Sequence, residues 1–336
     1  MNICILYDIT DAPWGGGNQF LKALVDELRE LGHKVTSRPN TDTEVVLLNS
    51  YTYGPGRMLR PGRVAQLRQT GKFNIFGRVV PKSFWMRLGR GGPILVHRLD
   101  EVAEVARGFR TYADDLHPII NRLSDHTIFQ STYSKNVFAE HSDVVPISSQ
   151  MIHNAVDPNI FYPNAEITNT NDLLELVAIS WSPNPQKGFA TLAEISSIPG
   201  VELTFIGNWC PDIPPANVKL AGTLGSEEIA EVLRRSDALV HAGLNEACSN
   251  VIVEGLACGL PVLYRDSGGN RELVADCGIP LGEDLGAVIE QLRVGYVELR
   301  RRVAEQRPRF LISQAAAEYV AFFAKVSGNA GSSDVP

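Results

Sequence analysis

Two glutamates, Glu246 and Glu254, stand with seven residues between them, on either side of a helix-start signal. Ser249 is placed to cap that helix, and Gly259 followed by Pro261 marks its end. Glu246 then falls on the loop before the helix and Glu254 about one turn inside it. The first N–H groups of a helix have no partner within it, and they carry the positive end of its dipole. The stretch between the two carboxylates is therefore an anion site. Carboxylates accept hydrogen bonds from hydroxyls. A phosphate on the helix tip with a polyol held on either side fits this chemistry, and a nucleotide sugar has both parts.

A cation is expected opposite such an anion. Lys187 closes the loop Trp181-Ser182-Pro183-Asn184-Pro185-Gln186, just before the helically spaced Phe189, Leu192 and Ile195. A lysine at a helix start opposes the dipole, and a bound anion relieves that conflict. Trp14-Gly15-Gly16-Gly17-Asn18 sets glycines between a strand and a helix, where Gly16 and Gly17 let the backbone approach a ligand closely. It is not the dinucleotide fingerprint, because Phe20 takes the place of the third glycine. Ile94 to Asp100 reads as a strand whose end delivers His97, Arg98 and Asp100 into a cleft.

The positioning elements follow from periodicity. Asp237–Ala242 and Pro261–Tyr264 are short apolar runs that read as buried parallel strands around the Glu246 loop. Ligands of such sheets bind beyond the carboxyl ends of the strands. Further strands are expected over 3–7, 33–37, 44–48, 127–130, 174–180, 202–207 and 218–221, with helices between them. Two amphipathic helices are expected over 285–292 and 296–303, and a last one over 311–326. The fold class is α/β.

These residues carry a resemblance. Gly222-Thr223-Leu224-Gly225-Ser226-Glu227-Glu228, then Glu246 with Glu254, then Ser267-Gly268-Gly269-Asn270-Arg271-Glu272 form an ordered set similar to that of family-4 retaining glycosyltransferases, the glycosyl transferases group 1 of GT-B fold. Ser131-Thr132-Tyr133-Ser134-Lys135 matches as well. Asn154-Ala155-Val156-Asp157 resembles the family's Asn-Gly-Val-Asp, with Ala155 in place of glycine. The resemblance covers nearly the whole chain and is strongest from about 174 to 282. It implies two Rossmann-like doubly wound domains facing each other across a cleft. The acceptor domain would span 1–164 and the nucleotide-sugar donor domain 165–310, with a helix over 311–326 crossing back and a disordered tail over 327–336.

The resemblance also implies an activity. It is transfer of a sugar, of hexosyl type and with retention, from a nucleoside diphosphate sugar to a hydroxyl of a glycan or lipid-linked acceptor, in cell-surface glycan or polysaccharide biosynthesis. The nucleotide sugar is a co-substrate, with no metal or other cofactor. Glu246, Lys187, Asp100 and His97 would form the catalytic set. Glu246 contacts the transferred sugar, Lys187 neutralises the leaving diphosphate, and Asp100 or His97 meets the sugar or the acceptor hydroxyl. The donor would be held by Gly16, Gly17, Arg98, Ser182, Ala247, Cys248, Ser249, Asn250 and Glu254. The helix amides take the diphosphate, and Glu254 takes the ribose hydroxyls. The family's usual arginine five residues before the lysine is Ser182 here, so the second cation must come from elsewhere, with Arg98 or Arg271 as candidates. The rival readings are a nucleotide-sugar epimerase of the same fold and a sugar-nucleotide-binding protein with weak turnover.

Composition narrows the partners. The chain has 336 residues, 44% hydrophobic and 21% charged, with a net charge of −7, which argues against nucleic-acid binding. Its five cysteines show no metal-ligand spacing and suit a reducing cytosol. The start of the chain lacks a basic segment of the kind that opens a secretory signal, and no stretch is long and apolar enough to span a bilayer, so a cytoplasmic protein is expected. Residues 54–92 hold Arg57, Arg60, Arg63, Arg68, Lys72, Arg78, Lys82, Arg87 and Arg90 without one Asp or Glu. That excess suits an anionic acceptor, or peripheral contact of residues 57–90 with anionic lipid headgroups at the inner face of a membrane.

Overall fold

Alternation of apolar strands with amphipathic helices builds two six-stranded parallel sheets. The structure is a computed structural model and describes residues 1–10, 16–54, 56–67, 72–75, 78–81, 92–144, 146, 148–164 and 173–328, with the backbone alone over 72–81. Trp14, Gly15, Arg68, Lys82, Arg87, Arg90 and the segments 165–172 and 329–336 lie outside the described residues.

The first sheet contains β1 (Asn2–Leu6), β2 (Lys34–Thr36), β3 (Val45–Asn49), β6 (Ile94–Arg98), β7 (His126–Phe129) and β8 (Ser149–Met151) in the order β2-β1-β3-β6-β7-β8. Between β3 and β6, β4 (Lys72–Ile75) and β5 (Arg78–Pro81) pair as a separate antiparallel hairpin. The second sheet contains β9 (Leu174–Ser180), β10 (Val201–Gly207), β11 (Lys219–Gly222), β12 (Ala238–His241), β13 (Val262–Tyr264) and β14 (Gly278–Pro280) in the order β11-β10-β9-β12-β13-β14. Strand order reverses between β1 and β3 and again between β9 and β12, and crevices form beyond the carboxyl ends of strands at such points. All five residues of β3 are buried, as expected where helices cover both faces of a parallel sheet.

Those helices are α1 (Gly16–Glu30), α2 (Pro61–Leu67), α3 (Ala103–Arg107), α4 (Tyr112–Arg122) and α5 (Thr132–His141) in the first half. The second half holds α6 (Phe189–Ile195), α7 (Ser226–Arg235), α8 (Asn250–Ala257), α9 (Asn270–Val274), α10 (Leu285–Gln306) and α11 (Ile312–Val326). The two amphipathic stretches read over 285–303 form one continuous helix, α10. Gly295 between them costs only about 1 kcal/mol in a helix interior, and the polar face continues through Arg301 and Arg302 pairing with Glu298. Helix α11 belongs to the first core: Ile312, Ala316, Tyr319 and Phe323 are buried with Ile3, Phe20, Leu24 and Val96. The chain enters the second half and returns from it side by side, since Val156 N–H donates to Phe310 O (3.0 Å) and Ile312 N–H to Val156 O (2.9 Å).

A pair of buried histidines fixes the end of β3. His97 Nε2 donates to Ser50 O at 3.0 Å, and its Nδ1 accepts from Asn121 Nδ2 at 3.3 Å. His117 Nε2 lies 2.9 Å from Ser50 Oγ. Together they hold Ser50 at φ 55°, a left-handed conformation uncommon outside glycine. Burial keeps both rings neutral, pushing His97 down to about 3 and His117 down to about 4 from 6.5.

Two outcomes are expected. The unfolded chain takes up protons at both histidines below pH 6.5 while the folded chain does not, so their stabilisation is complete above pH 6.5 and is lost as pH falls towards 4. Denaturant unfolding between pH 7 and 4.5 should show a pH slope that shrinks by roughly 1 kcal/mol per pH unit in His117→Gln; an unchanged slope would refute this account. Phe323→Ala empties a fully buried site in the first core and should cost about 3–5 kcal/mol of unfolding free energy.

Candidate active site

The loop from β12 to α8 is shaped by backbone approaches that only glycine permits. Asn245 adopts φ 58°. Its backbone N–H donates to Ser267 Oγ at 3.0 Å, and its side chain reaches across to Val105 O in the first half at 3.3 Å. Gly268, at φ 65°, packs so closely on the loop that a Cβ would lie 2.5 Å from Glu246 O. The next residue, Gly269, donates its N–H to that same oxygen at 2.8 Å. Glu246 is thus pinned through its backbone while its side chain turns inward.

The Glu246 carboxylate accepts from Lys187 Nζ at 2.8 Å and is only 14% exposed. His241 Nε2, at the end of β12, lies 3.4 Å from the same oxygen, out of line for a hydrogen bond and with no other partner. Burial opposes ionisation of Glu246, but His241 and Lys187 more than offset it and hold the carboxyl well below the usual range. Lys187 ends a single 3₁₀ turn, Pro185–Lys187, started by Asn184, whose side chain accepts from Gln186 N–H at 2.9 Å. That turn touches the first half, where Asn184 Nδ2 donates to Arg107 O at 3.1 Å.

Beyond Glu246 the chain enters α8. Ser249 occupies the capping position, yet its hydroxyl makes no capping bond and is buried without a partner, as is Asn270 Oδ1 at the start of α9. The helix tip therefore lacks a side-chain cap and carries a buried, unpaired hydroxyl, a rare arrangement in a folded interior and one that suits a ligand on its first N–H groups. The first turn of α1 faces this tip, so close that a Cβ on Gly16 would overlap the Asn250 side chain. Two helix N-termini thus meet across one gap. Glu254 lines a cavity there with Gly16, Trp181, Thr223 and Asn250, and burial pushes its carboxyl up to about 8.

Gly16, Asn250 and Glu254 thus line one cavity, while Lys187 pairs with Glu246 on the loop that runs into α8, with Ala247, Cys248 and Ser249 buried between Glu246 and the helix. Asp100 is exposed beyond β6, where its Oδ1 accepts from Gln130 Nε2 at 3.3 Å. Other expectations need correction. His97 does not reach the cleft: it is fully buried beneath it, with both ring nitrogens engaged. Arg98 is 2% exposed, donates to Asn49 Oδ1 (2.7 Å) and to Asn154 Oδ1, and lies 4.6 Å from the centre of the Phe20 ring, so it is no free phosphate ligand. Arg271 is tied to Asp266 on the surface. Ser182 shapes its own loop, its carbonyl accepting from Ser180 Oγ and its hydroxyl from Asn184 N–H. Gly17 makes no close approach, since a Cβ there would meet nothing within 4 Å.

Three further residues contribute to the site without a motif to mark them. Asn154 donates to Cys248 O (3.2 Å) and Asn250 Oδ1 (3.0 Å), locking the start of α8 to the first half. His241 attracts the Glu246 charge. Arg107, bound to Glu101 at 2.9 Å, brings a second cation to the face that meets the Lys187 turn. Only His241, a polar residue ending an apolar run, left a local signal.

Residues 214–289 match the Glycosyl transferases group 1 family. The GDP-mannose-dependent alpha-mannosyltransferase of Mycobacterium tuberculosis is 28% identical over 177 residues, which is 46% of this chain and 43% of that protein. The lipopolysaccharide glucosyltransferase WaaG of Escherichia coli is 27% identical over 29% of each chain. The matched stretch is thus less than half the length of these curated relatives. Among solved structures, the sucrose-phosphate synthase of Thermosynechococcus elongatus superposes with a TM-score of 0.67 at 15% identity, over 98% of this chain and 100% of that one. Anabaena Alr3699/HepE, solved with UDP-glucose, gives 0.63 at 17% identity over 95% of this chain and 99% of that one. The chain thus has the GT-B fold of these structures, and its residues 214–289 are similar to the Glycosyl transferases group 1 family.

Proposed function

We propose that this chain is a glycosyltransferase that moves a sugar from a nucleoside diphosphate sugar to an acceptor hydroxyl, with retention at the anomeric carbon. The observation that carries the reading is the Lys187–Glu246 pair at the loop that runs into the uncapped start of α8, whose first residues line a cavity with Glu254 and Gly16. A diphosphate on the α8 amides draws Lys187 towards itself. Glu246 and the unpaired His241 are then free to take sugar hydroxyls, and Glu254 meets the ribose. In the reaction the bond from the anomeric carbon to the diphosphate breaks and its electron pair stays on the phosphate oxygen. Lys187 and the helix amides stabilise that charge. The acceptor oxygen bonds to the anomeric carbon from the same face, and its proton ends on the departing diphosphate.

The reading includes a glycan or lipid-linked acceptor brought by the first half, in the synthesis of cell-surface glycans. The described part of 57–90 presents Arg57, Arg60 and Arg63 on the surface for peripheral contact with an anionic membrane. Among the described residues no helix is long and apolar enough to cross one.

A thermal-shift panel of UDP, GDP and ADP and their sugars should contain one base that raises the midpoint by roughly 5 °C near 100-fold excess over Kd; a panel with no shift would sink the reading. With that donor, Lys187→Ala should lower transfer of radiolabelled sugar about 10²–10³-fold while the folded state survives. Glu246→Gln should lower it too. Undiminished transfer in both variants would show that the chemistry lies elsewhere, and isomerised donor without transfer would indicate an epimerase.

A further inference from the structure

A second cavity, of about 500 Å³, opens at the other reversal of strand order, beyond the carboxyl ends of β1 and β3, and shares no lining residue with the cavity at Glu254. Arg38, Arg57, Arg60 and Arg63 line it, with Tyr53 and Met58. Asp8 is the counter-charge, accepting from Arg38 Nη2 at 2.6 Å and Arg57 Nη1 at 2.5 Å. Both guanidinium groups lie 6.0 Å from the centre of the Tyr53 ring. Arg60 and Arg63 have no acidic partner among the described residues, so two of the four cations are left uncompensated.

The cavity wall is built, not a loose loop. Tyr53 N–H donates to Arg57 O (3.1 Å) and Leu59 N–H to Tyr51 O (2.7 Å), closing a tight hairpin. Asp8 N–H donates to Tyr53 O at 2.8 Å, and the fully buried Leu59 anchors the returning strand. At the other end Ser50 is held by the two buried histidines. The arginines are thus presented by a fixed frame, which lowers the cost of ordering them around a ligand.

We infer that the acceptor of the transfer proposed above carries a phosphate group and that this arginine cavity holds it. The inference rests on that transfer reading. Charge count selects the ligand class: a phosphomonoester near pH 7 carries roughly −1.5 to −2, which two unpaired guanidinium groups neutralise, whereas a carboxylate offers one charge. Guanidinium forks also match phosphate oxygens in pairs. Position sets the acceptor's size. Asp100 lies at the end of β6, two strands along from β1; with the reacting hydroxyl placed at Asp100, the phosphate lies roughly 10 Å from it at about 4.8 Å per strand. That span fits a sugar phosphate or the phosphorylated headgroup of a lipid.

The test uses the full chain with its donor site saturated by the nucleotide found in the thermal-shift panel. Glucose 6-phosphate should raise the midpoint further and glucose should not. Phosphatidylcholine vesicles containing phosphatidic acid, a lipid phosphomonoester, should co-sediment with the protein if the source is a lipid, and pure phosphatidylcholine vesicles should not. A response to either phosphate probe supports the inference and identifies its source. The surface variant Arg60→Ala/Arg63→Ala should lose about 100-fold in affinity for the responding probe, and binding by the unaltered chain should weaken with added salt. Failure of both phosphate probes, or equal binding by the double variant, overturns the inference while a positive nucleotide shift leaves the transfer reading standing. Absence of any nucleotide shift overturns the transfer reading itself.

Discussion

The Arg98 guanidinium, buried where the two halves of the molecule meet, sets how the sheets face each other. It leaves the end of β6, stacks on Phe20 of α1 and bonds Asn49 of the neighbouring strand and Asn154 at the crossing point. Asn154 then holds Cys248 and Asn250 at the start of α8. A buried charge is costly unless its donors are engaged; Arg98 Nη1 and Nη2 are engaged while Nε is left without a partner, so the two bonds that hold the charge have little freedom. It fixes the α8 tip opposite α1, and the whole polar gap is arranged around that tip. Further contacts repeat the tie at the rim, including Glu272 to Thr132 N–H (2.9 Å) and to His153 (3.1 Å).

The site combines groups whose environments push them in opposite directions. Glu246 is kept ionised by Lys187 and His241 despite burial, whereas Glu254, with no cation to offset its burial, is pushed towards the neutral form. One carboxyl is therefore a permanent acceptor, and the other is able to donate as well as accept near neutral pH. Two acids eight positions apart in sequence offer a ligand different hydrogen-bonding faces, which suits a molecule with hydroxyls at both ends and charge in the middle.

Much of this was legible in the residues because it was local. Strand runs, the helix after Ser249 and the dipole conflict at Lys187 all show within a few positions of one another. Directions were harder. His97 and Arg98 are neighbours on a strand and must point to opposite faces, but in a parallel sheet both faces are interior, so neither polar residue signalled water or ligand. Ser249 was read as a cap from its type, yet its hydroxyl is left unpaired. Asn154 and Cys248 are 94 positions apart, and no periodicity links them. The weak helix propensity of Gly295 separates two amphipathic stretches in the sequence, whereas packing and surface ion pairs carry α10 through it.

The crossing of α11 into the first core has a consequence for synthesis. Ile312, Tyr319, Phe322 and Phe323 fill a face of the first sheet, but they are translated only after the entire second sheet. At about 5–20 residues per second the ribosome needs roughly 10–30 s to make the intervening chain. For that interval the nascent first half carries an uncovered apolar face and competes with aggregation or chaperone capture. The earliest-made half of this molecule is thus the last to be finished.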